Sequence, residues 1–105
     1  MSEWKDDLID QPYAPIDLGP SVLHGVGVFV TQDIEPKGFI GQVLNAKLQR
    51  TNMIGRYINH SHTPNCYLQK RAEGGYDLHA LYGVNAGDEL TMDYHATDLI
   101  RRGEL

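Results

Sequence analysis

Short apolar runs divided by turn signals constrain the fold of this 105-residue chain more than any other feature. The stretch "IDLGPSVLHGVGVFVTQDI" alternates apolar residues with glycine and polar residues, which predicts strands at about 16–18 and 26–31. Turns are predicted wherever glycine meets proline, asparagine or a second glycine, as in "EPKG", "GG" at 74–75 and "NAGD". Frequent turns between short strands predict a mainly β fold of small sheets with little helix.

The remaining segments fit the same scheme. "FIGQVLNAKLQ" reads as a strand, residues 51–57 as a short helix or an irregular link, and "CYLQKRA" with "YDLHALYGV" as a hairpin. "ELTMDY" is the last predicted strand. We therefore divide the chain into an N-terminal arm at 1–15, with one helical turn around Trp4 to Ile9, a single domain at 16–95 and a polar, helix-prone tail at 96–105.

The charge balance disfavours a nucleic-acid groove as the main functional surface. The net charge is −5 and the isoelectric point is about 5.4, whereas nucleic-acid-binding domains are usually basic. An acidic surface attracts a basic partner, although mild acidity also simply keeps a protein soluble. We expect no direct contact with nucleic acid.

Compartment signals are few. Cys66 is the only cysteine, so an internal disulfide is excluded and a reducing compartment is expected. The first residues, "MSEWKDDLID", contain no apolar signal-peptide core, and the apolar run at 26–30 is too short to span a bilayer. We expect a cytoplasmic protein without membrane association, while a nuclear or host-cell location stays open.

The string "YINHSHTPNC" at 57–66 concentrates side chains that donate, accept or ligate. His60, His62 and Cys66 could ligate zinc, but their spacing matches no familiar zinc pattern, and we expect no metal. A polar loop held by Asn59 and Asn65 side chains is the simpler interpretation. Its apolar flanks indicate a partly buried loop, where a ligand could supply some hydrogen-bond partners.

Two further pieces are weak when taken alone. "HGVGVF" contains Gly25 and Gly27 and predicts either a bent strand or a close approach of the backbone to a ligand. "GDELTMDY" places Glu89 and Asp93 four residues apart, and solvated charges are the default interpretation of both.

Taken in order, "SVLHGVGVFVTQDI", "RYINHSHTPNC" and "ALYGVNAGDELTMDY" closely resemble the motifs of SET-domain protein lysine methyltransferases. The resemblance covers about residues 16–94. It implies a SET-domain fold of small twisted sheets, in which the Asn-His segment and the final Asp-Tyr segment meet in a knot-like crossing near the C-terminus.

The resemblance also implies a cofactor, S-adenosyl-L-methionine, and a set of site residues. Tyr94 matches the active-site tyrosine and also faces the cofactor. The other cofactor-binding positions implied are His24, Gly25, Val26, Gly27, Arg56, Asn59 and His60. Tyr57 and Val43 are candidates for the wall of the substrate channel, and no metal is implied.

The implied reaction is methyl transfer to the amine of a lysine in a basic protein or peptide. It requires a neutral lysine, close approach and exclusion of water, and it needs no dedicated base. Tyr94 would orient the reacting groups through its hydroxyl.

Four departures from the family pattern leave a catalytically inactive binding module as the alternative. "QVLNA" stands where the family often has Tyr-x-Gly, His62 stands where a cysteine is common, the insert at 45–55 is short, and no cysteine-rich segment follows Tyr94. The missing pocket wall would have to come from the tail, the N-terminal arm or a second subunit. For this reason a homodimer is also expected.

Overall fold

The computed structural model describes residues 15–51 and 53–103. The helical turn predicted around Trp4 lies outside the described residues. Within them, the strands and helices in chain order are β1 Ile16–Pro20, β2 Val26–Val30, β3 Phe39–Leu44, α1 Ile54–Tyr57, β4 Asn59–His60, β5 Cys66–Lys70, β6 Tyr76–Ala80, β7 Glu89–Met92 and α2 Tyr94–Arg101. No helix in this part of the chain has the length and apolarity that crossing a membrane requires.

The strands form two small sheets, as the sequence predicts. One sheet has the order β1-β2-β7-β4 and the other has the order β3-β6-β5. The predicted hairpin is the antiparallel pair β5–β6, with Cys66 opposite Ala80 and Lys70 opposite Tyr76. Gly74 and Gly75 make its turn with positive φ angles of 103° and 84°, which glycine adopts without steric cost. The mainly β prediction is confirmed.

A crossing between distant segments completes the first sheet. The short strand β4 pairs in parallel with β7, with Asn59 opposite Thr91 and His60 opposite Met92. Asn65 then extends this contact with its side chain: Nδ2 donates to the Glu89 carbonyl at 2.8 Å, and Oδ1 accepts from the Thr91 N–H at 2.8 Å. The Asn-His segment and the last strand therefore meet, as the predicted crossing requires.

A core of aliphatic side chains lies behind the crossing. Val28, Leu78 and Leu90, from β2, β6 and β7, are fully buried and come from both sheets. Helix α2 starts at Tyr94 and buries Thr97 and Ile100. This helix runs across the predicted boundary between domain and tail at residues 95 and 96, so the first part of the tail packs against the core.

Replacing Leu90 by alanine should lower the free energy of unfolding by about 2–5 kcal/mol, because a fully buried leucine leaves a cavity when it is truncated. Urea unfolding followed by circular dichroism measures the change. The matched control is Leu81→Ala, since Leu81 is 49% exposed and should change stability by less than about 0.5 kcal/mol. Equal effects of the two changes would contradict this description of the core.

Candidate functional site

The Asn59 side chain connects all three sequence motifs. Asn59 is buried, and its Nδ2 donates to the carbonyls of His24 at 3.0 Å and Val26 at 3.2 Å and to Oε2 of Glu89 at 2.9 Å. These acceptors belong to the Gly-x-Gly segment and to β7. An amide with two hydrogens shared among three acceptors holds the first, second and third motifs at one point.

Glu89 is the residue that sequence reasoning missed. Its carboxylate accepts from Ser21 Oγ at 2.8 and 2.9 Å and from Asn59, so it is not the solvated charge that the sequence predicts, and that interpretation was wrong. Gly27 makes the room, because a Cβ atom there would collide with the Glu89 carboxylate. No local sequence signal indicates this role, because it depends on the pairing of β7 with β2, in which Glu89 lies opposite Phe29.

Ser21 shapes the loop between β1 and β2. Its Oγ accepts the backbone N–H groups of Leu23 at 2.9 Å and His24 at 3.3 Å, and its own N–H donates to the Gly25 carbonyl at 2.8 Å. The loop is therefore ordered by local hydrogen bonds while it presents apolar side chains to solvent. Val22 is 98% exposed and Val26 is 45% exposed.

Tyr94 is held at the crossing by both its backbone and its side chain. Its hydroxyl donates to the Ile58 carbonyl at 2.6 Å, and its N–H donates to Nδ1 of His60 at 3.0 Å. The Tyr94 and His60 rings lie 5.1 Å apart. Asp93 caps α2, because its Oδ1 accepts the His95 N–H at 2.9 Å. The phenol is therefore fixed directly beside the Asn-His strand.

A cavity of about 120 Å³ lies between the segment 43–58 and helix α2. Tyr94 forms part of its wall. The other lining residues are Val43, Leu44, Arg50, Gly55, Ile58, Met92, Thr97, Asp98 and Arg101. Thr97 is buried, and its Oγ1 has no hydrogen-bond partner within the described protein. A buried hydroxyl without a partner is costly, and Thr97 Oγ1 is itself buried beside the cavity rather than exposed in it.

The charge at the cavity is positive on balance. The Arg50 guanidinium lies 5.9 Å from the centre of the Tyr94 ring, and Arg101 donates to the Leu48 carbonyl at 3.3 Å. Asp98 is the acidic residue of the same wall. A cation brought into this cavity therefore meets two arginines and one carboxylate, which disfavours a charged ammonium group there.

The structure places most of the predicted site residues in one of two places: beside the β1–β2 loop, around Asn59, or at the cavity, around Tyr94. His24, Val26 and Asn59 are joined by the hydrogen bonds described above, with Gly25 exposed between the first two, and His60 contacts Tyr94. Val43 and Tyr94 share the cavity wall, whereas Tyr57 is not among its lining residues and packs against the core. Arg56 is an exposed residue of the last turn of α1. The functional roles of these residues remain predictions.

The SET domain family profile matches residues 42–95, just over half of the chain. The chain belongs to the SET domain family. No curated protein matches the sequence at a significant level.

Among solved structures, a candidate histone methyltransferase of Plasmodium falciparum matches with a TM-score of 0.60. The alignment is 20% identical and covers 76% of this chain and 96% of the other. At this identity the match establishes the fold, which is the SET fold that the sequence motifs predict. The family match covers the crossing and Tyr94, while the Gly-x-Gly segment lies before it and is joined to it through Asn59.

Replacing Asn59 by aspartate should lower the free energy of unfolding by about 2–4 kcal/mol, because a buried donor facing two carbonyls and the half-buried Glu89 carboxylate becomes a carboxylate itself. Urea unfolding measures the effect. Adding Glu89→Gln should recover part of the loss, since the glutamine amide can donate to the introduced carboxylate. Asn85→Asp, in an exposed turn, is the control and should change little. If it matches Asn59→Asp, the proposed role of Asn59 fails.

Cys66 should be unreactive in the folded protein. Burial raises the pKa of its thiol from about 9.0 to about 12, and Sγ donates to Oδ1 of Asn65 at 3.4 Å. The thiolate is the nucleophile, so disulfide-exchange reagents at pH 8 should label the native chain at least about 100-fold more slowly than the urea-unfolded chain. This thiol also favours folding fully below pH 9, and its contribution declines as the pH rises towards about 12. Rapid native labelling would contradict the burial.

Proposed function

We propose that the chain transfers methyl groups from S-adenosyl-L-methionine to a lysine of a protein substrate. The observation that supports this most directly is the position of Tyr94. Its phenol is fixed at the crossing by a 2.6 Å hydrogen bond and forms part of the wall of a narrow cavity. Membership of the SET domain family supports the same reaction class.

The residues that would hold the cofactor fit its chemistry. His24, Gly25 and Val26 are exposed, and Gly25 has a φ of 46° with no atom near the position of a Cβ, so a ligand can approach this backbone. Exposed Val26 offers apolar surface of the kind that an adenine ring can cover. Asn59 and His60 lie beside this loop, and Arg56 carries a positive charge suited to a carboxylate.

When bound, the cofactor supplies an electrophilic methyl group on a sulfonium. Gly27 has a structural role besides the backbone contact that the resemblance implies. Its missing side chain accommodates Glu89, whose carboxylate holds Asn59. We infer that Gly27 and Glu89 support the cofactor surface by positioning Asn59.

The cavity residues would bind the target amine in its neutral form. Val43, Leu44 and Met92 provide apolar contacts for the methylenes of a lysine. Arg50 and Arg101 outnumber Asp98 on the cavity wall, and this balance, together with removal of water, favours the neutral, nucleophilic amine over the ammonium ion.

Tyr94 would orient the amine. Its hydroxyl hydrogen is directed at the Ile58 carbonyl, so the oxygen lone pairs are left to accept hydrogen bonds from the reacting groups. The neutral amine then needs alignment and a dry environment rather than a base. The acidity of the chain favours a basic protein or peptide as the substrate.

One observation favours the alternative, a binding module that keeps the fold without turnover. Val43 lies in the cavity wall where the family pattern often supplies a tyrosine, so the site has one phenol fewer for positioning the amine. Both an enzyme and a binding module could bind the cofactor, but only the enzyme would transfer its methyl group. Calorimetry with the cofactor and a labelling assay together separate them.

Tyr94→Phe should lower kcat by at least about 100-fold, because it removes the hydroxyl that orients the amine and leaves the ring in place. The assay follows transfer of a labelled methyl group from S-adenosyl-L-methionine to a panel of basic proteins. Tyr82→Phe is the matched control, since Tyr82 is 48% exposed, and it should behave as the wild type.

Circular dichroism and cofactor calorimetry on both variants report whether the fold and the binding site survive. If Tyr94→Phe labels as fast as the wild type, the role of Tyr94 is wrong. If the wild type binds the cofactor and labels no protein, the chain is a binding module.

A further inference from the structure

We propose that His60, His62 and Asp93 form a binding site for a divalent transition metal on the outer side of the crossing. One ligand atom from each residue lies within 4.8 Å of the other two. Imidazole nitrogen with a carboxylate oxygen is a donor set that suits Zn²⁺, Co²⁺ or Ni²⁺, whereas Mg²⁺ and Ca²⁺ prefer oxygen ligands alone. This site goes beyond methyl transfer and does not depend on it.

The separations are close to those of a ligated ion. Nδ1 of His60 and Oδ1 of Asp93 are 3.8 Å apart. Two ligands at about 2.1 Å from one ion, at a tetrahedral angle, stand about 3.4 Å apart. The His60 and His62 rings are 4.5 Å apart in an edge-to-face arrangement. Small side-chain rotations therefore bring all three groups to bonding distance.

Two of the three ligands are already positioned by the fold. His60 belongs to β4 and accepts the Tyr94 N–H, while Asp93 caps α2 through the His95 N–H. The loop that carries His62 is tied to β7 by the Ser61 N–H, which donates to the Met92 carbonyl at 3.1 Å. The exposed His62 ring has the largest turn to make, while His60 and Asp93 need only small adjustments. A site with most of its ligands in place loses less conformational entropy on binding.

The proposed ligands differ from the set considered in the sequence, which was His60, His62 and Cys66. Cys66 is buried and donates to Asn65, and it is not part of the cluster. Asp93 takes part instead, although it lies 33 residues after His60. The three ligands come from β4, the loop after it and the cap of α2, so an ion would cross-link the segments that form the crossing.

Metal binding would act next to Tyr94. An ion on Nδ1 of His60 would replace the hydrogen bond from the Tyr94 N–H, and an ion on Nε2 would leave that bond in place. In both arrangements the ion joins the Asn-His strand to the start of the helix that carries Tyr94. The metal would therefore raise the stability of the crossing.

Calorimetric titration of the tag-free, full-length chain with Zn²⁺ and Co²⁺ tests the site. We expect one equivalent to bind, a visible Co²⁺ spectrum typical of nitrogen ligation, and a Tm higher by about 10–15 °C at 100-fold excess over Kd. His62→Ala should weaken affinity at least about 10-fold without changing the Tm of the metal-free protein, because His62 is exposed.

Asp93→Asn should also weaken binding, while its metal-free Tm stays close to that of the wild type, since asparagine caps a helix as well as aspartate does. His95→Ala is the matched control, because His95 lies in the same helical turn outside the cluster, and it should bind as the wild type does. The proposal is overturned if no equivalent binds or if His62→Ala and Asp93→Asn bind like the wild type. It is also overturned if His95→Ala is weakened as much as they are. None of these readouts requires methyl transfer, so an inactive chain leaves the test intact.

Discussion

The Asn59 amide and the parallel pairing of β4 with β7 are the contacts on which the rest of the structure depends. A two-residue strand supplies very few backbone hydrogen bonds, so its position needs support from side chains. Asn59 supplies this towards β2 and Glu89, and Asn65 supplies it along β7. Because these groups are largely removed from water, an unmatched donor or acceptor among them would be costly, and this cost specifies the register of the crossing.

The crossing places different chemistry on its different sides. On the Asn59 side, the β1–β2 loop exposes backbone and apolar surface beside the Asn-His strand. On the Tyr94 side, helix α2 closes a narrow cavity against the segment that follows β3. On the outer side, two imidazoles and a carboxylate approach one another. A single crossing can support these separate features because β4, the loop that follows it and the start of α2 all lie within a few residues of the β4–β7 pairing.

A residue's role could be predicted from the sequence when it depends on neighbouring residues, and could not when it depends on residues far away in the chain. The β5–β6 hairpin and the mainly β composition were readable because turns and alternation are properties of neighbouring residues. Glu89 was misread because its partners, Ser21 and Asn59, are 68 and 30 residues away and leave no local pattern. The family resemblance predicted that the segments of His60 and Asp93 meet, but no local pattern indicated that His62 and Asp93 would present ligand atoms to the same point. The burial of Ile100 in a polar tail depends on where α2 lies, which periodicity over eight residues hardly constrains.

The sequence by itself determined the family, the order of its motifs and the types of side chain available at the site, because these reside in short runs such as "RYINHS" and "MDY". The tertiary structure decided which of those side chains meet. It directed Gly27 towards Glu89, brought Thr97 and Tyr94 to one cavity, and left Tyr57 in the packing around the core. Contacts between distant residues are set by strand pairing and by satisfying buried polar groups, and both come into existence only when the chain closes on itself.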